Sequence, residues 1–586
     1  MILQALYDYY QRKSSDPESG IAPEGFEWKE IPFIVVIDYN GNFIRLEDTR
    51  TIEGKIKRAK SFLVPASVSR SAGIKPNFLW DNATYTLGVP GTKKADKKAA
   101  AKLAAFIDVL EKSTLKDTKE IVALVKFLKS DPIQKISELL KENEAWLEVQ
   151  EVVPNVTFSF NGESEKEPVC SRFNDVIKDY LKETPSTENV GTCLITGDNK
   201  PLARLHTLIS GFPGAQSAGA GIVSFNNKSF CSYGKDQSFN APVSESAMFA
   251  YTTALKMMLA KDSKNKLRIG ETSVIFWSDK KTEFEENFPF FFGYEKDNPD
   301  ADIRAVKQLY DSVYTGVSVP NSDAKFFVLG LSPNAARLSV RFWHAGCISD
   351  FSSKIKQHFD DLEIIRGPKD EGKYALFWLL SAISLEGKTD NLPPILVGRL
   401  MDAIFKGSPY PELLLNQTLS RIRADRNISR IRADRNISRI RAGILKAYLK
   451  RKQRIYNNEE KEITVALDTT NTNEGYLLGR LFAVLEKLQE DAQPGINTTI
   501  KDRYYGAASS TPITVFPQLL KLKVHHLAKL DNQGLKVNFE KRIGEIMELL
   551  PPSMPSHMNL EDQAKFAVGY YHQRQDFFKK KETENN

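Results

Sequence analysis

The side chains that most often carry catalysis are scattered in this sequence. His206, His344 and His358 stand alone. His525 and His526 are adjacent, so on a helix they point about 100° apart and cannot share a metal as an i, i+4 pair does. Cys170, Cys193, Cys231 and Cys347 include no C-x-x-C pair and read as reduced thiols of a cytoplasmic protein. Zinc-protease, nucleophile-elbow and full P-loop strings are absent. The glycine-dense residues 211–221 have Ala220 and Gly221 where a P-loop carries Lys and then Ser or Thr, and they lack the G-x-G-x-x-G spacing. They read better as backbone that must approach something closely. No catalytic residue, metal or cofactor is expected.

Positive charge does cluster. Eight arginines stand between Arg421 and Lys450, and Lys450-Arg451-Lys452-Gln453-Arg454 follows, against only Asp425 and Asp434. A DNA backbone favours such a surplus, because each neutralised phosphate releases condensed counterions. Arg421, Arg430, Arg439 and Arg451 are the candidate contacts. The alternative is a solvated helix face, which normally interleaves Glu at i, i+4 as this segment does not. A smaller patch of Lys93, Lys94, Lys97, Lys98 and Lys102 fits DNA contact and a solvated face equally. Residues 70–83 form a polar-aromatic loop, marked by Gly73 and Pro76. Arg70, Ser71 and Lys75 could reach phosphate or a groove acceptor there, and Asn77 and Asn82 could meet base edges. Chemistry alone favours a self-satisfied Asx turn.

These candidates need elements to hold them. Residues 33–38 are a β-branched apolar run, followed by Tyr39-Asn40-Gly41-Asn42 and a second run. Asn-Gly in that position predicts a tight hairpin in which both turn residues take positive φ. Residues 95–110 predict a helix with a lysine-rich first half. Residues 267–277, 325–331 and 339–343 read as strands, and residues 244–259 as a helix capped by Ser244. The fold class is α+β, with a helical C-terminal part. There Leu478, Leu481, Phe482, Leu485 and Leu488 fall at helical spacing, as do Phe539, Ile543, Ile546 and Leu550. Thr511-Pro512 opens a further helix, and an amphipathic one follows Asn559.

With 586 residues, several domains are expected. They divide as an N-terminal α+β domain (1–150), a central α+β domain (151–395), a basic helical segment (396–460) and a C-terminal bundle (461–586). The net charge of +7 is modest for this length, so its distribution matters more than its sum. No apolar stretch reaches the roughly 20 residues of a spanning helix, so no membrane contact is expected. SRIRADRNI occurs at 420–428 and 429–437 and restarts at Ser438. Nine steps of about 100° turn successive copies to opposite helix faces, so a duplication absorbed in a tolerant, exposed helix explains it better than a solenoid repeat.

Several strings carry a family resemblance: MILQALYDYYQR at the start, KPNFLWDNATYTLG from Lys75, and TGDNKPLARLHTLISGFPGAQSAGAGIVSFNNKSFCSYGKDQSFNAPVSESAMFAYTTAL from Thr196. GYLLGRLFAVLEKLQE from Gly475 and DRYYGAASSTPITVFPQLL from Asp502 continue it. The chain resembles the large-subunit family of the subtype I-C CRISPR surveillance complex, Cascade. That resemblance implies a non-catalytic subunit of a guide RNA complex with backbone and guide-processing subunits. Such a subunit reads a protospacer-adjacent motif in double-stranded DNA and promotes strand separation and R-loop formation. It also helps recruit a separate helicase–nuclease for antiviral defence. The resemblance raises the 70–82 loop as flank reader and residues 213–217, centred on Gln216, as a wedge. It further implies that the C-terminal region is made separately as a small subunit, here from a non-Met start such as Val465. Two other classes stay open: a metal-dependent nuclease with scattered ligands, and a basic RNA- or protein-binding scaffold that ignores the flank.

Overall fold

A computed structural model describes residues 1–53, 56–68, 73–92, 95–162, 168–172, 189–212, 216, 219–260, 262–292, 323–366, 374–425, 437–456 and 461–578. The chain divides into two compact units, residues 1–209 with 221–257, and residues 210–220 with 258–586.

The first unit is built from β1 (Phe26–Glu30), β2 (Phe33–Ile37), β3 (Phe43–Asp48), β4 (Thr51–Glu53), β5 (Ile56–Arg58), β6 (Ser61–Pro65), β7 (Trp80–Asn82), β8 (Asn155–Phe160), β9 (Val190–Thr192) and β10 (Asn199–Pro201). Its main sheet has the order β3-β2-β8-β7, with β2 and β8 parallel and the other pairs antiparallel. All of β2 is buried, as its unbroken Phe-Ile-Val-Val-Ile run requires. The helices between β7 and β8 supply Phe106, Leu110, Leu124, Phe127, Ile136 and Trp146 to the same core. The β2–β3 turn departs from expectation. Only Gly41 is left-handed (φ 80°), Asn40 is not, and a bulge sits between Val36 and Ile37. Asp38 replaces the second left-handed residue by accepting the N–H groups of Asn40 and Asn42, both at 2.8 Å.

The second unit opens with an antiparallel meander, β11 (Lys266–Ile269), β12 (Thr272–Ser278), β13 (Lys325–Asn334) and β14 (Arg337–Cys347). Residues 267–277 are therefore two strands folded at Gly270 (φ 56°) rather than one. One apolar cluster then runs from Leu267 to Tyr571. The central, basic and C-terminal pieces of this unit share that single core. The joining element is the Arg439–Tyr456 helix, which packs against both the Ile348–Leu362 and Leu560–Asp576 helices. The latter is not amphipathic: every residue from Gln563 to Arg574 is buried. It can lie this deep because glycines remove the side chains in its way. A Cβ on Gly479 would meet the Phe566 carbonyl oxygen at 2.0 Å, and one on Gly569 would meet that of Tyr476 at 2.2 Å.

Candidate nucleic-acid interface

The 65–82 loop joins β6 to β7, and its base is tied at several points. Trp80 Nε1–H donates to the Pro65 carbonyl at 2.8 Å, the Thr157 hydroxyl donates to the Leu79 carbonyl at 3.0 Å, and Glu27 accepts the Ser67 N–H at 3.1 Å. Asn77 is 4% exposed. Its Oδ1 accepts the Val68 N–H at 3.0 Å, and its own N–H donates to Asp81 Oδ2 at 2.9 Å. Asn82 caps the Ala83–Thr86 helix by accepting the Thr84 N–H at 3.1 Å. Asn82 makes the local Asx contact, whereas Asn77 ties the loop across nine residues to Val68, and its burial keeps it from a base edge in this conformation. Lys75 is exposed beyond the tied base, next to Gly73 and its left-handed backbone (φ 80°). Arg70 and Ser71 lie outside the described residues.

Two further groups of cations lie in this unit. Lys97 is exposed ahead of the Ala99–Lys112 helix, while Lys102 pairs with Asp96 at 2.6 Å and stands over the Tyr85 ring. Lys93 and Lys94 lie outside the described residues. The β4–β5 hairpin, absent from the candidates above, carries Lys57 and Arg58 and leads through the exposed Lys60 into β6. The visible signal was the Ile-Lys-Arg-Ala-Lys string at 56–60, immediately before the loop.

The basic 421–454 segment has a different arrangement from either sequence reading. It is not one helix: the Glu412–Ala424 helix ends at Asp425, and Arg439–Tyr456 is a separate one. Arg421 pairs with Asp425 at 3.2 Å, Arg423 donates to Gln563, and Arg439 lies over the Tyr374 ring. Arg441 binds Asp425 and the Ala382 carbonyl, and Lys450 binds Glu462 at 2.7 Å. Arg451 is 1% exposed, with Nε 2.9 Å from Asp361 Oδ2, a guanidinium N–H on the Ala403 carbonyl at 3.0 Å, and the Tyr410 ring beneath it. Lys452 pairs with Glu561, and Arg454 with Asp361 at 2.7 Å. These cations cross-link the second unit. Burial takes Arg451 away from phosphate contact, Arg421 is held by Asp425, and Arg439 packs on the Tyr374 ring. Arg430 lies outside the described residues.

The family described as CRISPR-associated protein (Cas_Csd1) matches residues 6–578. The chain belongs to this family. Cas_Csd1 is the large-subunit family of type I-C Cascade, which agrees with the strings at Met1, Lys75, Thr196, Gly475 and Asp502. No curated protein matches the chain.

Gln216 is exposed, and its carbonyl accepts the Gly219 N–H at 2.9 Å; residues 213–215, 217 and 218 lie outside the described residues. Burial holds His206 and His344 at about 4, and His358 and His572 at about 3, so all four are neutral at pH 7. Nδ1 of His206, His358 and His572 faces the hydroxyl of Tyr251, Tyr410 and Tyr476 respectively. Burial works against the Asp361 charge, but Arg454 and Arg451 outweigh it and hold the carboxyl below its usual range. Among the described residues, no three His, Cys, Asp or Glu side chains stand where they could hold a metal ion. No described helix is long and apolar enough to cross a membrane.

Proposed function

We propose that this Cas_Csd1 chain reads a short flank in double-stranded DNA beside the target and helps open the duplex, while another protein breaks bonds. The supporting observation is the arrangement ahead of β7. Lys57, Lys60 and Lys75 are exposed on a hairpin and loop whose base is fixed by Trp80, Asn77, Asp81 and Asn82. Exposed cations beside a held loop base suit flank reading, because phosphate contacts set register and one or two groove contacts then discriminate. In this reading Lys75, with Arg70 and Ser71, meets the flank, Lys93 and Lys97 track the backbone, and Gln216 enters between strands as they part. The division of labour follows the logic of RNA-guided recognition, in which protein reads the flank and base pairing reads the target. The partners are the guide RNA complex, with its backbone and guide-processing subunits, and a separate helicase–nuclease. A C-terminal product starting near Val465 would carry the helices from Glu474 onward. It would leave uncovered the face of Leu560–Asp576 that the Arg439–Tyr456 helix covers here.

The test uses the particle assembled with its guide complex and a panel of duplexes that differ only in the flank. Binding should fall by about 1–3 kcal/mol for each wrong flank pair. Lys75→Ala should flatten that preference or lower the salt slope by about one. Cleavage of the same duplexes by the isolated chain with Mg²⁺ or Mn²⁺ would favour the nuclease reading instead. Steep salt dependence with no preference among flanks would favour the scaffold.

A further inference from the structure

Tyr233 is 98% exposed. It is the first central residue of a two-residue turn. The Lys235 N–H donates to the Ser232 carbonyl at 2.9 Å, and these two residues form an antiparallel bridge. Tyr233 and Gly234 both take positive φ, 52° and 69°. A turn of this kind favours Asn, Asp or Gly at its first central position, and a tyrosine there is strained. The turn is nevertheless held firmly. Asn240 accepts from the Ser232 N–H and hydroxyl at 2.9 and 3.3 Å, and its amide donates to the carbonyls of Lys235 and Gln237 at 2.8 and 2.9 Å. One carboxamide thus uses both donors and two acceptor positions to present a ring that packs on almost nothing. Folding does not account for this side chain.

We propose that Tyr233 is a stacking platform for an unpaired nucleobase of single-stranded DNA, with the exposed Lys228 and Lys235 nearby for its phosphates. The proposal rests on the reading that this chain handles opened DNA. A protein partner fits less well, because binding hot spots are ringed by packed groups that exclude water. Here the adjoining residues are Ser232, Gly234 and Lys235, and the apolar Phe230 is 40% exposed. Stacking on a base needs only one ring face and tolerates any sequence.

The experiment measures binding of the full chain to a labelled single-stranded oligonucleotide, and separately the flank preference of the assembled particle. Tyr233→Ala should weaken single-strand binding by about 5- to 150-fold, while Tyr233→Phe and Tyr233→Trp stay within about twofold. The ratio of particle affinities for correct and scrambled flanks should not change with any of the three. Equal single-strand binding by parent and Tyr233→Ala overturns the stacking role alone, as does a loss in Tyr233→Phe as large as in Tyr233→Ala. A parent particle that ignores the flank overturns the flank-reading function, whatever Tyr233 does.

Discussion

Lys75 and Asn77 are neighbours in one loop with opposite exposures, and their substitutions should separate binding from stability. Asn77→Ala removes the tie between the buried Asn77 and the Val68 N–H, at a cost of about 0.5–1.5 kcal/mol because water can reach the exposed Val68. Thermal denaturation should record that loss. Lys75→Ala should stay within about 0.5 kcal/mol of the parent and change only DNA binding. A stability loss in the lysine variant, or none in the asparagine variant, would contradict the division. Asp361 gives a second contrast. Asp361→Ala leaves the buried Arg451 without its carboxylate and should destabilise the second unit by about 3–5 kcal/mol, read from urea midpoints. The salt dependence of DNA binding should not move, because that arginine meets the chain's own core. The sequence showed the arginines clearly and their purpose poorly. Helical charge rules compare residues at i, i+4, whereas Asp361, Glu462 and Glu561 reach this segment from other elements. At the loop, Asn82 makes the local Asx contact that neighbouring residues dictate, whereas the Asn77 bond back to Val68 follows from no local rule.

The helix pair Glu474–Ala492 and Leu560–Asp576 depends on close backbone approach. Gly479→Ala forces a methyl against the Phe566 carbonyl and should cost about 1–3 kcal/mol or more. Gly544→Ala is the opposite case. No atom lies within 4 Å of its added Cβ, on an exposed turn of the Gln533–Leu549 helix, so about 0.5–1 kcal/mol of stability should be gained. Urea midpoints of the two variants should move in opposite directions; movement in the same direction would contradict the packing. At this scale the sequence was legible where an element has one apolar face. Leu478, Leu481, Phe482, Leu485 and Leu488 are all buried, and Ser244 heads the Glu245–Leu259 helix, its Oγ accepting the Ala247 N–H. It was less legible where burial is complete. The Leu560–Asp576 helix buries Gln563, Lys565, His572, Gln573 and Arg574, which a hydropathy pattern assigns to solvent. The repeat shows a third kind of limit. Arg421-Ile422-Arg423-Ala424 ends one helix and Arg439-Ile440-Arg441-Ala442 begins another, so identical residues take different places according to what packs on them.

In the molecule as a whole, buried neutral imidazoles link folding to pH. His344, His358 and His572 in the second unit, and His206 in the first, have folded values well below the ordinary 6.5. The unfolded chain therefore binds more protons than the native one below about pH 6.5, and stability falls as pH drops. The loss approaches about 1.4 kcal/mol per histidine per pH unit between 6.5 and the folded value. Denaturant midpoints at pH 7, 6 and 5 should decline in that order, and a flat profile would contradict the burial of these rings. The α+β class and the helical C-terminal part were readable from periodicity, but the single core of the second unit was not. Its continuity depends on the Arg439–Tyr456 helix contacting elements distant in sequence. In the function proposed above, this Cas_Csd1 chain discriminates the DNA next to the target and leaves cleavage to a partner. Equilibrium affinity of the assembled particle for one target carried on two duplexes, identical except for the adjacent base pairs, tests it most directly. At fixed salt, one flank should be preferred tenfold or more, on the order of 1.4 kcal/mol, with both duplexes left intact. Equal affinities, or nicked DNA in the absence of any other nuclease, would contradict it.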